Sequence, residues 1–125
     1  MAGLPPFSIE NTDHFKRSFK KLEKFHRGKF TEIVADILER LIEDPYPLSS
    51  RQEPLPSKIQ LLNGWTFHKL EFKISKGASG QLRLMYLVNA STCVIRLLWI
   101  YSHEQFSKRP PDKDLKDVIQ ETLDF

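Results

Sequence analysis

The segment from Trp65 to His103 constrains the fold most, because apolar and polar side chains alternate along much of it with a period of two. Such alternation predicts β-strands that turn one face towards a core. The apolar faces of the first two predicted strands are His68, Leu70, Phe72 and Ile74, and then Leu82, Leu84, Tyr86 and Val88. The third strand, from Cys93 to Tyr101, is apolar on both faces apart from Arg96, which predicts an interior strand covered on both sides.

Two helices are predicted ahead of these strands, after a short first strand at Phe7 to Ile9. The first helix begins near the N-cap candidates Asn11, Thr12 and Asp13. The second has the most regular helical spacing of apolar residues in the chain, from Phe30 to Ile42, and Asp44-Pro45 ends it. The short joint between them predicts an antiparallel helical hairpin. Residues 45–64 contain four prolines and are interpreted as a long connecting loop, and a last helix is predicted from Asp112 to Leu123.

Length and composition predict one domain, residues 1–125, with 40% apolar and 28% charged residues. The single cysteine, Cys93, excludes an intrachain disulfide and favours a reducing, cytoplasmic location. The first residues lack the pattern of a secretory signal, and no apolar run approaches the length that spans a bilayer, so no membrane partner is expected. The histidines lack metal-ligand spacing, so neither a metal nor another cofactor is expected.

The distribution of charged residues along the chain is more informative about possible partners than the net charge of +3. The segment from 16 to 29 carries seven cations against Glu23 alone, namely Lys16, Arg17, Lys20, Lys21, Lys24, Arg27 and Lys29. We call these residues the basic run; they form either a solvated surface or a contact for phosphates or an acidic partner. The C-terminal segment from Asp112 is acidic instead.

One face of the predicted sheet collects Lys69, Glu71, Lys73 and Arg83, and the end of the third strand adds Tyr101 and His103. A guanidinium holds two phosphate oxygens at once, lysines add point charges, and an imidazole titrates near neutrality. These are the groups needed for RNA cleavage without a metal, in which the ribose 2′-OH attacks the neighbouring phosphate. The alternative is a solvated face with cross-strand ion pairs, a surface His103, and Arg96 as a structural ion-pair partner.

Several short segments, taken in order, carry a resemblance to a known family. They are Phe15 to Leu22, Leu41 to Pro45, Glu53-Pro54-Leu55, Arg83-Leu84-Met85-Tyr86 and Tyr101 to Phe106. Together they resemble the RelE/ParE superfamily, the small toxins of bacterial toxin–antitoxin pairs, and most closely its RelE and YoeB branches. The matching region runs from about 7 to 109, and residues 110–125 form a C-terminal extension.

The resemblance implies an α+β fold, in which an N-terminal helical hairpin packs on a small, mostly antiparallel, twisted sheet, followed by a short C-terminal helix. It also implies a metal-independent mRNA endonuclease that acts on the ribosome and is neutralised by a cognate antitoxin. The partners implied are therefore this antitoxin, mRNA and the ribosome. The alternative is a RelE/ParE-like protein-binding module without nuclease activity, either a gyrase-targeting toxin or an inactive homologue.

The resemblance also assigns roles to individual residues. Arg83 matches the phosphate-binding arginine of the RelE branch, and Lys69 matches one of its strand lysines. Glu53 matches the acidic base of the YoeB branch, and His103 matches its C-terminal histidine. Tyr101 matches a C-terminal aromatic residue, with Phe106 as the alternative. The expected catalytic residues are thus Glu53, Arg83, Tyr101 and His103, with Lys69, Lys73 and Arg83 binding phosphate. Glu71 departs from the pattern, because it stands where the RelE branch has a second lysine.

Overall fold

The computed structural model describes residues 6–57, 59–61 and 64–123. It contains three helices and five strands, with one turn of 3₁₀ helix, Ala78–Gly80, before the fourth strand. In chain order they are β1 (Ser8–Asn11), α1 (Asp13–His26), α2 (Phe30–Glu43), β2 (Ser50–Gln52), β3 (Trp65–Lys73), β4 (Gln81–Asn89), β5 (Val94–Ser102) and α3 (Asp112–Leu123). In the described residues, no helix is both long enough and apolar enough to cross a bilayer.

The five strands form one sheet in the order β1-β5-β4-β3-β2. Strand β1 pairs with β5 in parallel, and every other pairing is antiparallel. The predicted mostly antiparallel α+β architecture is therefore confirmed, and β5 is interior as predicted. The prediction that residues 45–64 contain no strand is wrong, because Ser50–Gln52 form β2 and pair with β3.

The helical hairpin covers one face of the sheet. Its apolar residues, among them Phe30, Val34 and Leu41, pack against the even-numbered side chains of β3 and β4. Thr12 caps α1, because its Oγ1 accepts from the Phe15 amide at 3.2 Å and donates to the Leu97 carbonyl at 2.7 Å. This one hydroxyl therefore both caps the helix and attaches it to the interior strand β5.

Helix α3 packs on the opposite face of the sheet. Its Leu115 and Ile119 contact a cluster that includes Met85, Leu87 and Leu98. Arg96 links β5 to both β1 and α3. Its Nε donates to Glu10 Oε1 at 2.6 Å, and its Nη1 donates to the Thr122 carbonyl at 3.1 Å. The interpretation of Arg96 as a structural ion-pair partner is thereby confirmed.

A β-bulge separates the two halves of β5. Met85 lies opposite Trp99, but Tyr86 lies opposite Leu97, so Leu98 is an extra residue. Side chains alternate along a strand, and the extra residue shifts the alternation by one. As a result Leu97 and Ile100 both face the helical hairpin, and Leu98 and Tyr101 both face α3.

Candidate functional site

An open groove of ≈ 640 Å³ lies on the α3 face of the sheet. Its wall residues come from β3, β4, the segment around β2 and the segment that precedes α3. They are Arg51, Gln52, Glu53, Pro54, Lys69, Glu71, Arg83, Ser107, Lys108 and Arg109. The strand register explains why Lys69, Glu71 and Arg83 form the floor of the groove. Glu71 lies directly opposite Arg83, and Lys69 is two residues along β3 on the same face.

A buried carboxylate, Glu53, organises one wall of this groove. Lys69 Nζ lies 3.1 Å from Glu53 Oε1, Arg109 Nη1 lies 3.3 Å from Oε2, and Arg51 Nε lies 3.7 Å from Oε1. The side chains of Glu53 and Lys69 are only 6% and 7% exposed, so each charge depends on the other for compensation. The Glu53 amide donates to the Phe67 carbonyl at 2.8 Å, which extends the β2–β3 pairing and fixes the carboxylate in place.

Glu71 is a second carboxylate of the groove, but it is half exposed and its ion pairs are long. Its Oε1 lies 3.7 Å from Lys69 Nζ, 3.7 Å from Arg51 Nη2 and 3.9 Å from Arg83 Nε. Pairs of this length at an exposed carboxylate stabilise a protein by little. The expected alternative, cross-strand ion pairs on this face, is thus present, and it leaves Arg83 weakly held.

Two buried polar atoms, one in the groove wall and one next to it in the sheet, have no hydrogen-bond partner among the described residues. They are Nη1 of Arg83 and the hydroxyl of Tyr101. Arg83 and Tyr101 are direct cross-strand neighbours in β4 and β5. Buried polar groups are nearly always hydrogen-bonded, and leaving one unpaired costs about 1–3 kcal/mol. Arg83 lines the groove, whereas Tyr101 is fully buried next to it.

The hydroxyl of Tyr101 is a donor at neutral pH. The side chain is fully buried and packs edge-to-face on Phe106, with the ring centroids 5.6 Å apart. Burial raises the pKa of Tyr101 well above its usual range, and the neighbouring charges of Arg83 and Glu53 act on it in opposite directions. The phenol therefore stays protonated and is a buried donor without a partner among the described residues.

Replacing Tyr101 by phenylalanine is expected to leave the free energy of unfolding unchanged or to raise it, because the change removes an unpaired buried hydroxyl. Tyr86→Phe is the matched control: the Tyr86 hydroxyl donates to the Pro45 carbonyl at 2.8 Å, and its loss is expected to cost about 1 kcal/mol. Urea unfolding of both variants measures the difference. A larger loss of stability in Tyr101→Phe than in Tyr86→Phe would show that the Tyr101 hydroxyl has a partner within the protein.

Charge makes the groove a site for anions. Five of its wall residues are cations, namely Arg51, Lys69, Arg83, Lys108 and Arg109, and two are carboxylates, Glu53 and Glu71. A concave wall with excess positive charge raises the local concentration of anionic ligands. No cluster of three or more His, Cys, Asp or Glu side chains that could hold a metal ion occurs in the described ranges.

The structure brings four of the expected site residues together and places two elsewhere. Glu53, Lys69 and Arg83 line the groove, and Tyr101 adjoins Arg83 across the strands. Lys73 is exposed near the turn that follows β3, and His103 follows β5, where its amide donates to the Gln81 carbonyl at 2.8 Å. Neither Lys73 nor His103 lines the groove.

Three cations of the groove, Arg51, Lys108 and Arg109, are absent from the expected site. Arg51 belongs to the short strand that the sequence did not predict. Lys108 and Arg109 precede Pro110-Pro111 in a connecting segment, where no periodicity indicates the direction of a side chain. The signal available in the sequence was the pair of adjacent cations before a rigid Pro-Pro step.

Comparisons with known proteins bear on the fold. No family model matches this sequence, and no curated protein does so. Among solved structures, a variant of the Escherichia coli toxin RelE with two arginines replaced by alanine, in the free state, superposes with a TM-score of 0.54. The two sequences are 14% identical, and the match covers 96% of this chain and 100% of that one.

Two further solved structures are similar at lower scores. The RelBE2 toxin–antitoxin complex from Mycobacterium tuberculosis has a TM-score of 0.47 at 17% identity, covering 78% of this chain and 98% of that one. The archaeal RelE–RelB complex from Pyrococcus horikoshii OT3 has a TM-score of 0.44 at 17% identity, covering 78% and 94%. The fold assignment rests on the first likeness, which shows that this chain has the RelE-like fold expected from its sequence.

Proposed function

Starting from its RelE-like fold, we propose that this chain is the toxin of a type II toxin–antitoxin pair and a metal-independent endonuclease that cuts mRNA on the ribosome. The observation that carries the proposal is the pair of buried, unpaired polar atoms, Arg83 Nη1 and the Tyr101 hydroxyl, below a groove with excess positive charge. A phosphate oxygen would accept hydrogen bonds from both atoms. The groove therefore has the donors and the charge that a scissile phosphodiester requires.

Binding of the phosphate falls to Arg83 and Lys69. Among the described residues, Arg83 forms one ion pair, the long contact to Glu71. Binding of a phosphate would break only this pair, so the planar guanidinium is available to bind two phosphate oxygens. Lys69 is held near the floor by Glu53 and adds a fixed positive charge beside the phosphate. Lys73, at the exposed end of β3, would contact the RNA backbone outside the groove.

The reaction needs a base for the 2′-OH and an acid for the departing oxygen. The 2′ oxygen forms a bond to phosphorus and gives its proton to the base, and the bond from phosphorus to the 5′ oxygen breaks as the acid gives a proton to that oxygen. We propose Glu53 as the base and His103, which lies outside the groove wall in the free protein, as the acid that the bound substrate must reach. Tyr101 would donate its O–H to the phosphate oxygens and so stabilise the transition state. Because Glu53 already accepts from Lys69 and Arg109, the substrate must displace one of these contacts first.

Inducible expression in a bacterium, with sequencing of mRNA 5′ ends, tests the proposal. Growth should stop within the first generations after induction, and new 5′ ends should accumulate inside translated frames but not in untranslated RNA. An empty vector and the uninduced culture give the background. Growth arrest with DNA damage and intact mRNA, or no arrest at all, would contradict the nuclease proposal.

One observation favours the second candidate, a protein-binding module without nuclease activity. All seven cations of the basic run are exposed, and within the described ranges none of them forms an ion pair. Phe25 lies among them with 64% of its surface exposed. Such a surface suits an acidic partner, and the cognate antitoxin implied by the resemblance is our candidate for it. Arrest that survives loss of Arg83 would favour this candidate.

A further inference from the structure

We propose that Arg109 is a further phosphate-binding residue of the groove, and that Asp112 competes with the phosphate for it in the free protein. This inference rests on the proposed function, because it extends the same groove to a second arginine. Arg109 lies in the segment between β5 and α3 and lines the groove together with Arg83. Its side chain is 21% exposed, so it is both ordered by contacts and open to a ligand.

The contacts of Arg109 use only part of its guanidinium. Nη1 donates to Glu53 Oε2 at 3.3 Å and to the Pro54 carbonyl at 2.7 Å, and Nη2 donates to Asp112 Oδ1 at 2.9 Å. A guanidinium has five N–H donors. In the part of the chain that the structure describes, the Nε hydrogen and one Nη2 hydrogen have no partner. The edge formed by Nε and Nη2 is one that can bind two phosphate oxygens side by side.

The backbone holds Arg109 at the groove before any ligand binds. Pro110 and Pro111 follow it directly, and a residue before proline is restricted to extended conformations. The Arg109 contact to Glu53 joins this segment to the wall that also holds Lys69. Because the guanidinium is placed in advance, a phosphate would gain its hydrogen bonds with little further loss of conformational entropy.

Asp112 is the contact most easily exchanged. Its side chain is 53% exposed, whereas that of Glu53 is 6% exposed, so water can replace Arg109 at Asp112 at low cost. A phosphate that approaches Nη2 would meet the Asp112 carboxylate already there. Removing this carboxylate should therefore strengthen RNA binding, while removing the guanidinium should weaken it.

The salt dependence of RNA binding tests the role of Arg109. Fluorescence anisotropy of the purified full-length chain with a labelled 2′-O-methyl RNA oligonucleotide, which lacks the attacking hydroxyl, measures binding without cleavage. For single strands the slope of log K against log salt is about −0.7 per phosphate neutralised. We expect Arg109→Gln to make this slope shallower by about 0.7, and Arg40→Gln, the same change on an exposed position of α2, to leave it unaltered.

The remaining variants decide what a negative result means. Arg83→Gln should also make the slope shallower by about 0.7. If Arg83→Gln does so and Arg109→Gln does not, the inference about Arg109 is wrong and the groove stands. If neither variant changes the slope, the proposed phosphate site itself is wrong. Asp112→Asn should keep the wild-type slope and bind the oligonucleotide several-fold more tightly, and unchanged or weaker binding would contradict the competition. Circular dichroism confirms that each variant is folded.

Discussion

Replacing Arg83 by alanine is expected to slow mRNA cleavage by about 10²–10³-fold, the usual cost of removing one donor that stabilises transition-state charge, and so to abolish growth arrest. The guanidinium supplies the unpaired Nη1, while three of the other four cations of the groove pair with Glu53 and the fourth, Lys108, is exposed. Cleavage rates come from primer extension on a translated reporter mRNA. Arrest comes from colony counts after induction.

Two controls separate a lost catalytic group from a lost fold. Arg40→Ala removes an exposed arginine of α2 and should arrest growth as strongly as the wild type. The unfolding temperature of Arg83→Ala should stay close to that of the wild type, because the Arg83–Glu71 pair is 3.9 Å long and its carboxylate is half exposed. A folded Arg83→Ala protein that still arrests growth at full strength would remove Arg83 from the site.

Replacing Glu53 by alanine is expected to destabilise the fold by about 3 kcal/mol, the lower end of the range for breaking a buried ion pair. The change leaves Lys69 nearly buried with only the longer contact to Glu71, and it removes one ion pair each from Arg109 and Arg51. Chemical denaturation at neutral pH measures the loss. For a domain of about this size, a change of that size lowers the unfolding temperature by roughly 10 °C or more.

The cause of this loss can be checked within the same cluster. Glu71→Ala removes the half-exposed carboxylate and should cost less than about 1 kcal/mol. The double variant Glu53→Ala/Lys69→Met removes both buried charges, and much of the lost stability should return because no uncompensated charge remains. If the double variant is as unstable as Glu53→Ala alone, the loss comes from packing or from the β2 backbone, not from the charge of Lys69.

The parts of the fold that the sequence predicted are those with a strong apolar pattern. The helical spacing in α2 and the alternation in β3 and β4 each select one face for the core, and the structure packs those faces against each other. Strand β2 has no such pattern, because Ser50, Arg51 and Gln52 are polar and largely exposed. Its conformation depends on pairing with β3, a long-range contact that the local sequence does not encode.

The residues of the site also fall into those that a strand pattern predicts and those that it does not. Alternation along β3 and β4 places Lys69, Glu71 and Arg83 on one face, and the structure groups these residues at the groove. Arg109 and Arg51 reach it from irregular or very short segments, where only the folded chain determines direction. Lys73 shares the alternation of Lys69 but lies beyond the groove wall, because it is the last residue of β3 and adjoins the exposed turn.

The extra residue in β5 has a consequence for how the chain tolerates insertions and deletions. Ahead of Leu98 the odd-numbered residues face the hairpin, and after it the even-numbered ones do, so this residue sets the phase of every side chain up to Ser102. If the same sequence paired without the bulge, Ile100 would lie opposite Arg83, and Tyr101 would lie opposite Leu82 under the helices, whereas deletion of Leu98 would keep Tyr101 opposite Arg83. The backbone pairing of β5 is therefore expected to survive the loss of one residue at Leu98, whereas loss of one residue closer to Tyr101 would exchange side chains between the core and the groove.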